Sequence, residues 1–500
     1  MRGSSWHDHQ HWVRQSASAG WRFAVKSSKL LISILTLSVA LAGCGGGGGG
    51  SAPVTSVTPT PTPTASTTCS LRARQDFAFA VLDQNYLFPE TLPSSLDPTP
   101  FSTVGAYIDA LTATARAQGR DRFFTFITSI AEENAFFSSG ATAGFGIRLF
   151  TDTANRRVQI AEAFEGAPAL AAGIDRGTEI LAIGNTASSL RLVSDIIAAE
   201  GAAGISNALG PSTAGTTRAL RISNAGTVSS VTVAKADFSL TPVSSRYGAR
   251  ILNDGSKRVG YLNLRTFISS ADPELRTAFS NFRAQGVTEL IIDFRYNGGG
   301  LVSTADLMGD LLGGNRTSAD VFSNTTFRPS LSNNNSTKRF SPRAESVSPT
   351  KIAFITTSST ASASELVINS MSSYLGQNLA IVGANTSGKP VGQIGIDRAA
   401  CDDRIRVVAF STQNSAGGGF YYNGLASVVP RSCVAVDDLT RPLGDANEAS
   451  VRGALDFLAG RACSAIASGG QSSQSLRDAG PKLLTPDTPT VAQREVPGVF

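Results

Sequence analysis

The sequence runs to 500 residues, enough for two to four domains and a large core. Its 43 Lys and Arg against 38 Asp and Glu give a formal charge of +5, but five of the basic residues and one acid precede Cys44, leaving 38 against 37. A near-neutral remainder with no basic run argues against a nucleic-acid partner. All three histidines, His7, His9 and His11, also precede Cys44. The rest of the chain can therefore build neither a Ser-His-Asp nor a Cys-His centre, nor the usual histidine-bearing zinc site.

Arg14, Arg22, Lys26 and Lys29 lead into the apolar run Leu30–Ala42. That run is short for a bilayer span and suits a signal-peptide core. It ends Leu41-Ala42-Gly43-Cys44, which resembles the bacterial lipobox, whose cysteine becomes the lipidated N-terminus. An ordinary signal peptide with a chance cysteine is the plainer alternative. Gly45 stands where the inner-membrane retention signal has aspartate, so the resemblance implies a lipid anchor at Cys44 in the outer membrane, facing the periplasm. Residues 1–43 are read as the signal peptide. Residues 44–68, six glycines and then a Thr-Pro-rich stretch, are read as a tether.

Residues 69–135 predict a small helical cap. Phe77, Val81 and Leu82 share a helix face, Tyr107 and Leu111 are four apart, and Phe123–Ile130 suggests a further packed helix. Residues 136–243 change character. Gly144–Phe150, then RVQIAEAF, then GAPALAAGIDRGTEILAIGN, RALRI and SVTVAKADF read as strand, strand, short helix, strand and more strands. This order resembles a PDZ domain in its permuted bacterial form; a generic small β domain is the alternative. Residues 244–465 read α/β. The strands VGYLNLRTF, Thr288–Arg295, Lys351–Thr357 and Leu379–Ala384 alternate with helices, one opening at Asp272-Pro273, one through Leu307, Met308 and Leu311, and one at Ser362. Such alternation implies crossovers and a mainly parallel sheet. A polar excursion between Asn315 and Pro349 reads as a hairpin or loop, a last helix lies around Val451–Leu458, and residues 466–500 read as a mostly disordered tail.

An exported chain can form disulfides. Cys401 and Cys433 flank a glycine-rich stretch and the strand-like FYYNGLASVV, so they are expected to pair. Cys69 and Cys463 are then expected to clasp the two ends of the ordered region. No cysteines are spaced as a metal pair, and no metal or other cofactor is expected.

Two motifs remain. TASASE (Thr360–Glu365) offers a serine, Ser362, where a strand gives way to a helix, with small neighbours Ala361 and Ala363 and the positive end of the helix field nearby. Alone, such a serine is more often a helix cap. SGKPVGQ (Ser387–Gln393) offers Lys389, which needs desolvation from its ordinary pKa of ~10.4 to act as a base. A solvated surface lysine is the bland alternative. Between strand and helix, DFRYNGGGL (Asp293–Leu301) can aim backbone N–H groups at one point, as an oxyanion hole does. A phosphate loop is a poor reading, because no Lys-Ser/Thr follows the glycines.

The order PDZ, D-x-R-x-N-x-G-G, TASASE, GK-x-x-x-Q resembles the C-terminal processing (tail-specific) proteases, a Ser-Lys peptidase family, over roughly Phe136–Ala465. The resemblance implies an α/β fold, with a crotonase/ClpP-like peptidase core and a PDZ-like β domain inserted in or preceding it. It implies Ser362 as nucleophile, Lys389 as general base, Gln393 orienting the lysine, and Gly299 with the Ala363 N–H as the oxyanion hole. It implies Gly144, Phe145, Gly146 and Ile147 as the loop that captures a peptide C-terminus, hence protein or peptide substrates with exposed C-termini. Gly298 stands in place of the family's proline, and the 27-residue interval from Ser362 to Lys389 is longer than expected. Two rivals stand beside the endopeptidase: an inactive PDZ scaffold that binds C-termini, and a β-lactamase-like enzyme. The second would carry its lysine three residues after the serine, where this chain has Glu365.

Overall fold

The computed structural model describes residues 67–467 and 481–500. The signal peptide, Cys44 and the tether up to residue 66 lie outside the described residues, as does the 468–480 part of the expected tail. Among the described residues no helix is long and apolar enough to cross a membrane.

The cap comprises α1 (Leu71–Asn85), α2 (Val104–Leu111), α3 (Ala113–Ala117), β1 (Phe126–Ser129) and α4 (Ile130–Ser139). The Ser70 and Thr103 hydroxyls accept N–H bonds from Ala73 and Ala106, so each cap satisfies a donor that the first helical turn leaves open. Val81, Leu82, Tyr107 and Leu111 are buried, while Phe77 packs at the margin of the same cluster. The run Phe123–Ile130 is not the expected helix. Its aromatic and β-branched residues suit a pleat, and Phe126–Ser129 pairs antiparallel with Asp403–Arg406.

The next region holds β2 (Ala141–Gly144), β3 (Ile147–Asp152), β4 (Arg157–Ala163), α5 (Pro168–Ala171), β5 (Glu179–Gly184), β6 (Arg191–Leu192), α6 (Val193–Leu209), β7 (Thr217–Asn224), β8 (Thr227–Ala234) and β9 (Ala236–Ser239). Strands β3, β4, β5, β7 and β8 neighbour one another in that order in an antiparallel sheet. Helix α6 was not expected. Gly201, at φ 65°, breaks it, and each interior glycine costs about 1 kcal/mol of helix propensity. It forms because Val193, Ile196, Ile197, Ile205 and Leu209 are buried with the sheet's own apolar residues.

The α/β region contains β10 (Ala249–Asp254), β11 (Lys257–Asn263), α7 (Ala271–Ala284), β12 (Glu289–Asp293), α8 (Val302–Leu312), β13 (Val321–Phe327), β14 (Ser336–Arg339), β15 (Lys351–Thr356), α9 (Ala363–Leu375), β16 (Leu379–Gly383), β17 (Val391–Arg398), β18 (Asp403–Gln413), β19 (Ser432–Val434) and α10 (Ala449–Leu458). Six strands order as β10-β11-β12-β15-β16-β19, parallel from β11 onward. Strand alternation divides β12: Leu290 and Ile292 pack with α7, α8 and α9, and Ile291 packs with α10. On α7, Leu275, Phe279 and Phe282 are fully buried, each contributing about 1.5–3 kcal/mol of hydrophobic burial. The helix begins at Ala271 after Ser270, two residues earlier than Asp272-Pro273 suggests, and Asp272 instead accepts a bond from Thr304. The polar excursion is the β13–β14 hairpin. It joins a second sheet through β18, which also pairs with β1 and β17.

Three expectations fail here. The disulfides are Cys69–Cys401 and Cys433–Cys463, with Cα separations of 5.6 and 5.4 Å. Cys401 lies in the turn between β17 and β18, where Arg74 pairs with Asp403 and docks the start of α1. Cys433 lies on β19, and Val434 donates to the Ser464 carbonyl of the segment after α10. Spatial adjacency, which spacing does not report, sets the pairing. FYYNGLASVV is no strand either; it holds a short 3-10 turn whose N–H groups are taken by Thr386 and Asn385. In the expected disordered tail, residues 481–500 form β20 (Lys482–Leu483), paired with β3, and α11 (Val491–Glu495).

Candidate active site

The carboxyl ends of parallel strands collect loops that are free to build a site. Here β12 delivers the glycine loop and β15 delivers Ser362. Arg295, fully buried, anchors the first of these. Its guanidinium bonds Asp293 and makes two bonds of 3.0 and 2.9 Å to Glu448 and one of 3.0 Å to Asp437. Burial alone would raise the Asp437 pKa, but Arg176 and Arg295 outweigh it and hold the group down to about 2.

Asn297 shapes the glycine loop. Its carboxamide donates to the Leu264 carbonyl at 2.8 Å and accepts the Gly299 N–H at 2.9 Å. Its own carbonyl accepts the Ala361 N–H and the Ser364 hydroxyl. Gly299 and Gly300 have φ of 118° and 129°, which only glycine adopts readily. A Cβ on Gly299 would lie 2.8 Å from the Ser362 Cβ and 3.1 Å from the Ala363 nitrogen. The loop therefore rests directly against the serine. The expected oxyanion donor differs in one respect: the Gly299 N–H is engaged by Asn297.

Ser362 immediately precedes α9, with φ 55° and ψ −116°. A non-glycine residue there carries strain of order 1–3 kcal/mol, a cost that recurs at functional sites. The surroundings hold it in place. Thr360 donates to the Phe294 carbonyl at 2.7 Å, and Leu366 N–H closes the first helical turn on the Ser362 carbonyl at 2.8 Å.

Glu365 joins the two motifs. It is fully buried and accepts N–H bonds from Ser362 (3.0 Å), Gly388 (2.7 Å) and Lys389 (2.7 Å). Burial pushes its carboxyl up, against these bonds and one from Thr386. The sequence reading assigned it no role, although an acid three residues after a serine and ahead of an apolar run is the capping-box signature.

The half-buried Lys389 donates its Nζ to Gln393 Oε1 at 2.9 Å and sits 4.9 Å from the Phe124 ring centre. Gln393 is itself held by the Phe124 carbonyl. Burial lowers the lysine's pKa, with partial opposition from Glu495, Asp121 and Glu365. Arg122 clamps the same loop through the Ser387 and Gly388 carbonyls at 2.7 and 2.5 Å. A cavity of about 590 Å³ opens here, lined by Lys389, Ala361, Gly298, Phe124, Arg494 and Glu495 among others.

Gly299 thus meets Ser362 and Ala363, Gln393 meets Lys389, and Glu365 ties the Ser362 and Lys389 backbones together. Gly144–Ile147 form a separate locus at the start of β3. There the Gly146 and Ile147 N–H groups point at one oxygen, the Phe500 carbonyl, at 2.9 and 3.2 Å, and Phe145 is buried in the domain core. The contacts of 490–500 had no counterpart in the sequence reading. The signal available was the apolar set Val491, Ala492, Val496, Val499 and Phe500 in a segment read as polar.

Residues 258–421 match peptidase family S41. The chain is 26% identical over 254 residues to a carboxyl-terminal-processing protease of Synechocystis sp., covering 50% of this chain and 54% of that protein. It is 28% identical over 170 residues to the chloroplastic C-terminal processing peptidase of Tetradesmus obliquus, covering 33% and 35%. The chain is thus similar to C-terminal processing proteases, and its residues 258–421 to peptidase family S41. It spans about half the length of the first of these curated relatives and about a third of the second. A putative S41 protease from Bacteroides fragilis shares the fold, with a TM-score of 0.58 at 22% identity over 81% of this chain and 99% of that one. The photosystem II D1 C-terminal processing protease superposes with a TM-score of 0.42 at 19% identity, covering 71% and 91%.

Proposed function

We propose that the chain is a serine endopeptidase of the tail-specific kind. Ser362 is the nucleophile, Lys389 the base and Gln393 its positioning partner. The observation that carries this reading is the tie between the backbones of Ser362 and Lys389, at a lysine whose pKa burial lowers. One buried carboxylate, Glu365, holds the backbone of both, and Gln393 fixes the ammonium. Lys389, uncharged, takes the Ser362 proton as the hydroxyl attacks the scissile carbonyl, and then gives it to the leaving amine. Water, its proton taken by the same lysine, then attacks the acyl carbonyl, and the lysine returns that proton to the Ser362 oxygen as the acid leaves. The Ala363 N–H and, once released from Asn297, the Gly299 N–H stabilise the tetrahedral oxyanion.

In the same reading the α/β region is a crotonase/ClpP-like core. Residues 136–243 are a PDZ-like domain whose Gly144–Ile147 loop receives the C-terminus of a protein substrate, which adds as a strand to β3. No cofactor takes part. Export and lipidation at Cys44 tether the enzyme to the outer membrane on its periplasmic side. An intact Ser362, Lys389 and Gln393 weigh against a scaffold without activity. The test is cleavage of β-casein, with fluorophosphonate labelling of the purified chain. Both are expected, and both are lost in Ser362→Ala. A chain that binds free C-termini yet neither cuts nor labels would establish the scaffold instead.

A further inference from the structure

The segment 490–500 connects the two loci. Thr490 and Gln493 cap α11 reciprocally, and the chain then leaves the helix at Glu495. Its next residues pass the glycine loop: a Cβ on Gly298 would lie 2.9 Å from the Glu495 carbonyl and 3.2 Å from the Pro497 ring. Arg494 and Glu495 line the cavity that holds Lys389. Beyond them the fully buried Arg148 donates to the Pro497 carbonyl at 2.8 Å. Leu149 N–H then bonds the Gly498 carbonyl at 2.9 Å, and Phe500 N–H bonds the Ile147 carbonyl at 2.9 Å. Residues 498–500 therefore add an antiparallel strand to the edge of β3, and the Phe500 oxygen points into the Gly146–Ile147 N–H pair. This is the hydrogen-bond pattern of a peptide bound by strand addition. The Phe500 ring, 3% exposed, packs in the domain's own core with Phe145 and Ile147.

We infer that residues 494–500 occupy in cis the track that a substrate tail takes, covering the catalytic cavity and filling the capture loop together, so that a substrate must displace them by presenting the same chemistry. This rests on reading Gly144–Ile147 as a capture loop. The occupant specifies that chemistry. The residue in the place of Phe500 is large and apolar, because its side chain enters a closed apolar site. The third from last is small, because a Cβ on Gly498 (φ 85°) would meet Leu483, Arg148 and Leu149 at 3.0–3.2 Å. Charge on the side chain at the Phe500 position is excluded by the apolar surroundings of the ring.

The test is binding of a fluorescein-labelled peptide, REVPGVF with a free carboxylate, followed by anisotropy. Three proteins, all carrying Ser362→Ala so that the probe is not cut, are compared: the full chain, a chain ending at Pro489, and the full chain with Phe500→Glu. A track occupied more than nine-tenths of the time weakens apparent affinity about ten-fold or more. Both variants are therefore expected to bind the probe at least ~10-fold more tightly than the full chain, and a probe ending in Glu should bind at least ~10-fold more weakly. If the truncated chain fails to show a native unfolding transition, Phe500→Glu alone decides. Equal affinity in all three proteins, or no binding by a natively folded variant, overturns the inference. With Ser362 restored, both variants should cut β-casein faster than the full chain. If none cuts casein while the peptide still discriminates, the peptidase reading fails and the cis occupancy stands.

Discussion

Glu365→Gln isolates the link between serine and lysine. The carboxylate presents one oxygen to Gly388 and the other to Ser362 and Lys389. A glutamine has one acceptor oxygen, and its NH₂ group must face at least one of these N–H donors. In the better of its two orientations it keeps Ser362 and Lys389 and orphans Gly388; in the other it orphans both residues of the proposed dyad. An orphaned buried donor costs about 1–3 kcal/mol, and the bonds that remain lose their charge assistance. Stability should therefore fall by roughly 2–4 kcal/mol on the same accounting, readable as a shift in the urea midpoint at unchanged slope. Activity should fall further than stability, because a lysine loop displaced by ~1 Å costs on the order of 10²-fold in turnover. The effect should appear in kcat, with fluorophosphonate labelling slowed in parallel. A variant with wild-type urea midpoint and wild-type kcat would refute the idea that Glu365 holds the site together.

Ser362→Ala and Lys389→Ala should each lose on the order of 10³-fold or more in β-casein turnover, as members of one catalytic unit do. Gln393→Ala should lose less, since it orients the lysine and does not react; equal losses in all three would contradict that division. Because burial lowers the Lys389 pKa, the rate should rise with pH along one limb centred below the ordinary lysine value of ~10.4. The same shift sets a stability sign. Between the lowered value and the ordinary one the unfolded state binds more protons than the native state, so stability rises with pH across that interval, and Lys389→Met should flatten the rise in urea titrations. Opening Cys433–Cys463, which closes a 30-residue separation, should cost about 3–4 kcal/mol, and opening Cys69–Cys401, across 332 residues, about 6 on the same loop-entropy scale. Non-reducing peptide maps should contain only these two linkages; a Cys401–Cys433 peptide would contradict the fold.

Where the sequence was legible, a local pattern coincided with a physical demand. The buried strands β12, β15 and β16 announce themselves as apolar runs because both faces of a parallel sheet are covered. The turn at Gly299 and Gly300 is readable because no other residue takes those φ values with so little room. Ser362, Lys389 and Gln393 stand out along the chain because the proposed chemistry fixes residue type and order, and the fold sets Gln393 on the Lys389 ammonium. What escaped was set by tertiary contact. Helix α6 carries glycines that local propensity penalises, and only its docking on the sheet compensates. The cysteine pairing follows from which turns meet after folding, and sequence distance was the wrong guide. Arg295 sat in the motif in plain view, yet its pairing with Glu448, 153 residues on, has no signature along the chain.

The segment 490–500 escaped for a different reason. Its composition, with three prolines between Pro481 and Pro489 ahead of it and charges at Arg494 and Glu495, reads as a solvated tail. Its apolar residues have no helical or strand period because they serve several partners at once. Val491, Ala492, Val496 and Val499 enter a cluster with Phe136, Phe164, Phe238 and Ile268, which come from the cap, the β domain and the α/β region. Phe500 enters the β-domain core. A segment that seals a junction takes its pattern from the junction. The glycine loop shows the consequence for chemistry. Gly298 rests against Glu495 and Pro497, and Gly299 spends its N–H on Asn297. Freeing that N–H exchanges one neutral hydrogen bond, worth about 1 kcal/mol net, for one to a developing oxyanion, which is roughly twice as strong. In the proposed mechanism the exchange is favourable only when a reacting carbonyl is present, so the Gly299 N–H rests on Asn297 until a substrate carbonyl reaches Ser362.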